Sequence, residues 1–83
     1  METRIALIGI IIESSESVEK INHLLSTYNQ YIIGRMGVPY REKNISIISI
    51  TMDAPSDAIS ALSGKLGMLP GVSSKTIYAR HSS

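Results

Sequence analysis

The run Ile5-Ala6-Leu7-Ile8-Gly9-Ile10-Ile11-Ile12 limits what this chain can fold into more than any other part of it. Its wealth of β-branched residues and its shortness favour a strand over a buried helix, and the strand is expected from about Thr3 to Ile12. Successive side chains of a strand point to opposite faces. One set is therefore Ile5, Leu7, Gly9 and Ile11, and the other is Ala6, Ile8, Ile10 and Ile12. Both sets are apolar. A strand in an antiparallel sheet with one wet face alternates apolar with polar, so this one needs cover on both sides. The run from Ile45 to Met52 behaves similarly, with Ile45 and Ile47 opposite Ile48, Ile50 and Met52. Helices can cover one face, and a second copy of the chain is the simplest cover for the other. The alternative is a moderately apolar second face, with the segment after Val72 folded over it.

The remaining elements follow from local signals. Ser14 or Ser15 offers an N-cap, and Glu16 and Glu19 place negative charge where a helix dipole favours it. Val18, Ile21, Leu24, Leu25 and Tyr28 then recur at helical spacing, ending at Asn29-Gln30. A second strand is expected from Tyr31 to Val38, interrupted by Gly34 and Gly37, with Pro39 to Asn44 as the connection to the third. The stretch from Asp53 to Asp57 starts a second helix with the face Ala58, Ile59, Leu62 and Leu66. Gly67 stops it, Pro70-Gly71 makes a turn, and Val72 to Ala79 forms a last strand. This βαββαβ order is the ferredoxin-like α+β sandwich: a four-stranded antiparallel sheet with two helices on one face, the first and third strands central. Residues 1–83 form a single domain in this reading, as expected for 83 residues.

Composition removes several function classes. A net charge of +1 and no run of Lys and Arg give nucleic acid no evident site. The third strand has no aromatic residue, so it lacks the stacking platform of an RNA-recognition motif. With no Cys there are no disulfides, thiolate zinc sites or iron–sulfur ligands from this chain. The apolar run at the start is too short to span a bilayer, and Glu13-Ser14-Ser15-Glu16 is no leader cleavage site; a cytoplasmic protein is expected.

Gly34-Arg35-Met36-Gly37-Val38-Pro39-Tyr40-Arg41-Glu42 is the most unusual stretch. Two glycines permit close backbone approach, and Arg35, Tyr40 and Arg41 suit an anion or a planar ligand. Gly34, Arg35, Gly37, Tyr40 and Arg41 are accordingly the candidate ligand-binding residues. The competing reading is an edge strand with a glycine-marked bulge and solvated charges. His23 lies one turn after Glu19, a pair more simply read as a solvated helix face than as a metal site, and His81 receives no role. Gly64-Lys65-Leu66-Gly67 lacks the spacing and the Ser or Thr of a phosphate loop. Glu13 and Asp53 each follow a central strand and could converge in an enzyme, but they read better as helix-start residues. No catalytic residue, metal or cofactor is assigned.

The stretch from Ile33 to Glu42, with Leu62-Ser63-Gly64-Lys65-Leu66-Gly67-Met68-Leu69-Pro70-Gly71-Val72, resembles the small family of iron-only hydrogenase system regulators. The similarity runs from the first strand to the last, and Gly-Arg-Met-Gly-x-Pro-Tyr is its distinctive part. The resemblance implies an ACT-like ferredoxin fold, akin to the C-terminal domain of the nickel-responsive repressor, whose copies pair through their sheets and bind small effectors at subunit interfaces. It leads to the expectation of a regulatory module, a homo-oligomer (dimer or tetramer) joined through the sheet face. Such a module senses a small-molecule effector or touches a partner protein, with a link to transcription of a hydrogenase system. The other classes kept open are an assembly protein with no small ligand and, last, a small enzyme.

Overall fold

The computed structural model describes residues 2–80. β1 (Arg4–Ile12) and β3 (Ile45–Ala54) run antiparallel at the sheet centre. β2 (Ile32–Tyr40) lies beside β3 and β4 (Val72–Tyr78) beside β1, giving the order β2-β3-β1-β4. α1 (Val18–Thr27) links β1 to β2, and α2 (Ser56–Gly67) links β3 to β4. The two most aliphatic strands are central, as their composition requires.

The pleat of β1 sorts its side chains cleanly. Ala6, Ile8, Ile10 and Ile12 are buried against Ile21 and Leu25 of α1 and Ile59, Leu62 and Leu66 of α2. Ile48, Ile50, Met52 and Ala54 of β3 complete that core. Val18, Leu24 and Tyr28 border it, so the helical stripe read from the sequence faces the sheet. Ile5, Leu7 and Ile11 point the other way and stay exposed. The segment after Val72 is a strand within the sheet and does not fold over that second face.

Three local expectations are corrected. Neither Ser14 nor Ser15 caps α1: a 3-10 turn at Ser15–Ser17 precedes it, and neither turn nor helix has a side-chain cap. Ser17 is buried, and its Oγ donates to the Pro70 carbonyl at 2.6 Å. β2 is not ended by Pro39 but continues to Tyr40; an edge strand tolerates proline because along its outer side no neighbouring strand needs an N–H. The bulge in β2 lies at Ile33, between the paired Ile32 and Gly34, so Gly34 borders it while Gly37 does not.

Gly71 joins the chain's two halves. Its φ of +69° is one that L side chains rarely adopt, and a Cβ there would stand 2.7 Å from the Ser14 Cβ. The Glu13 N–H donates to the Gly71 carbonyl at 2.7 Å, so the turn before β4 rests on the loop leaving β1.

Candidate functional site

β2 holds four of the five candidate residues, and its pleat divides them. Gly34 pairs with Thr51 and Tyr40 with Ile45, whose side chains lie on the open face. Arg35 pairs with Ile50 and Gly37 with Ile48, on the helix side. Arg35 Nη2 donates to Asn22 Oδ1 of α1 at 2.6 Å, an exposed bond that ties the edge strand to the first helix. Gly34, Arg35 and Gly37 therefore do not share one surface.

Tyr40 and Arg41 do share one. Arg41 opens a 3-10 turn, Arg41–Lys43, closed by Asn44 in the left-handed conformation at φ 60°. The Asn44 N–H donates to the Arg41 carbonyl at 3.1 Å, and Tyr40 OH donates to Glu42 Oε2 at 3.3 Å. This tight connection stands beside the loop that follows β1. Between them lies a cavity of about 290 Å³ whose polar lining includes Glu13, Ser14, Ser15, Tyr40, Arg41 and Asn44. Ile12, Val18, Pro39 and Ile45 supply its apolar lining. A cation, a carboxylate, hydroxyls and an amide beside apolar side chains can hold a small polar molecule by its charged groups. Glu13, Ser14, Ser15 and Asn44 were not among the sequence candidates. The signal available was positional: in an antiparallel pair the end of β1 and the start of β3 must meet.

The same geometry separates Glu13 from Asp53. Asp53 pairs with Ile5 while Glu13 follows Ile12, so they lie at opposite ends of β1. Eight residues of strand, about 26 Å, separate them. They cannot converge on one substrate. His23 and Glu19 line a second, apolar hollow of about 460 Å³ between the helices, with Leu24, Met68 and Leu69. Among the described residues no group of three or more His, Cys, Asp or Glu could hold a metal ion. His81 lies outside the described residues. Gly64 to Gly67 is the last turn of α2, not a loop after a strand. No helix among the described residues is long and apolar enough to cross a membrane.

The strand order and the two helices on one face define a ferredoxin-like α+β protein, which carries at one end of its sheet a small polar cavity. The chain belongs to the family described as "TM1266-like: Iron-only hydrogenase system regulator, putative", whose model matches residues 4–76. It is similar to the protein TM1266 of Thermotoga maritima, with 35% identity and a TM-score of 0.92 over 95% of this chain and 100% of that one. Two more distant structures share the fold alone. The C-terminal domain of the MgtC protein of Mycobacterium tuberculosis matches at 10% identity and a TM-score of 0.73, covering 99% of this chain and 94% of that one. A formyltetrahydrofolate deformylase of Pseudomonas putida matches at 12% and 0.68, covering 93% of this chain and 30% of that one. No curated protein matches the chain.

Proposed function

We propose that this protein is a non-enzymatic regulatory module of an iron-only hydrogenase system, working as an oligomer joined through the open face of its sheet and responding to a small polar ligand. One observation carries the reading. Ile5, Leu7, Ile11, Met36, Val38, Tyr40, Ile47 and Ile77 all lie on the face that no helix covers, with exposures from 37% for Ile47 to 63% for Ile77. So many exposed apolar side chains on one sheet face mark an interaction site. Four strands about 4.8 Å apart and about 26 Å long present roughly 500 Å² of face. Two copies then bury about 1,000 Å², the lower bound for a specific interface. The regulatory role comes from the family description. A net charge of +1 supports proteins or small molecules over nucleic acid as what the module contacts, so a link to transcription runs through a partner.

Of the five candidates, Tyr40 and Arg41 are the pair bordering the cavity, and they are assigned to the ligand. The test has two arms. Light scattering coupled to size exclusion is expected to give a dimer or tetramer, and Ile11→Lys to give a folded monomer. A monomeric wild type removes the oligomer from the proposal. Thermal-shift screening is expected to find small carboxylates or zwitterions that raise Tm of the wild type and not of Arg41→Ala. If no compound shifts Tm, the protein is an assembly module without a ligand. If both proteins respond alike, the site lies elsewhere.

A further inference from the structure

Gly9 and Gly34 sit in the interiors of β1 and β2, where glycine weakens a strand. Neither space nor backbone conformation in the protomer requires them, although Gly34 borders the β2 bulge. A Cβ built at either position meets no atom within 4 Å, and neither has a positive φ. Both lie on the open face, and each has a large apolar neighbour two residues away on that face: Leu7 for Gly9 and Met36 for Gly34. Strand pairing puts these residues in two adjacent rows. One row reads Gly34, Thr51, Leu7, Ile77 and the next Met36, Ser49, Gly9, Lys75.

The rows complement each other. A two-fold axis lying between two facing sheets, across the strands and midway between the rows, sets each row over the other row of the second copy. Leu7 then meets Gly9, Met36 meets Gly34, and the hydroxyls of Thr51 and Ser49 face one another. Lys75, on an edge strand, has the reach to keep its ammonium in water. An axis along the strands, between β1 and β3, fits worse. It sets Gly9 against Ser49, leaving a gap, and Ile11 against Ile47, two large side chains that hold the sheets apart.

Resting on the proposed pairing of copies through this face, we infer that the interface is isologous, with Leu7 and Met36 of each protomer seated in the notches at Gly9 and Gly34 of its partner. The glycines are there for the second copy, where a side chain would stand between the sheets. The pairing gives the strand glycines a role, and likewise the diagonal band of small residues Gly34, Thr51, Ser49 and Gly9 across the face.

Sedimentation equilibrium of the wild type, Gly9→Val and Gly34→Val tests this, with circular dichroism confirming the fold of each. Valine is a better strand residue than glycine and a Cβ has open space at both positions, so both variants are expected to fold and to dissociate at least tenfold more readily. The exchange Leu7→Gly with Gly9→Leu restores one large and one small residue at each contact and is expected to recover association relative to Gly9→Leu alone. If the wild type associates and both valine variants associate equally tightly, the notch geometry is wrong while face pairing stands. A wild type that remains monomeric removes both.

Discussion

The two faces of β1 differ in cover far more than in composition. Ile10 is 0% exposed and its neighbour Ile11 is 43% exposed, though both are isoleucines in the same strand. On one side α1 and α2 close a core around Ile8 and Ile10; on the other, no part of the described chain reaches Leu7 or Ile11. The lesson is that apolar patterning states a demand for cover without naming its source. A strand apolar on both sides has half its demand met within the protomer, and the remainder points outward.

Substitution can break that contrast or sharpen it. Ile10→Ala, which empties a fully buried site, is expected to cost about 3 kcal/mol in chemical denaturation whatever the protein concentration. Ile11→Ala should cost under about 1 kcal/mol in dilute protein, with a deficit that grows as concentration rises and association contributes. Equal costs at both positions under dilute conditions would undo the comparison. Next comes Gly71→Ala, which meets a left-handed backbone and the Ser14 Cβ and should destabilise by about 2 kcal/mol. Gly9→Ala, in open space on a strand, should be neutral or stabilising for the isolated protomer. Ser17→Ala leaves the Pro70 carbonyl without its buried partner and is expected to lower stability by about 1 kcal/mol, seen as a few degrees in Tm. A small loss is assigned to Arg35→Ala, which removes only an exposed bond to Asn22 and should stay within about 0.5 kcal/mol.

Much of the fold was legible in the residues. The order of elements, the central place of β1 and β3, and the inward stripes of both helices follow from periodicity and from the crossover rules, and the strand pairing agrees with them. What escaped was set by contacts distant in sequence. Ser14 and Ser15 look like caps, but a 3-10 turn at Ser15–Ser17 precedes the helix, and its last residue, Ser17, bonds Pro70, 53 residues away. Pro39 looks like a strand end, and its tolerance depends on β2 being an edge. The candidate site was legible only in part for the same reason. Residues 34 to 41 are close in sequence, but a pleat sends Arg35 to α1 and Tyr40 to the open face. Asn44 is local to Arg41, but Glu13, Ser14 and Ser15 come from the far end of β1, which only the antiparallel register brings there.

The bulge at Ile33 and the proline at position 39 also bear on how large an assembly can grow. An unprotected sheet edge recruits further strands and propagates into fibres. Along β2 an arriving strand meets a shifted hydrogen-bond register at one end and a residue with no N–H at the other. Lateral polymerisation along β2 is therefore penalised, while stacking of one sheet on another is not. If copies pair through the open face, as proposed, growth from the β2 edge is checked by these two residues.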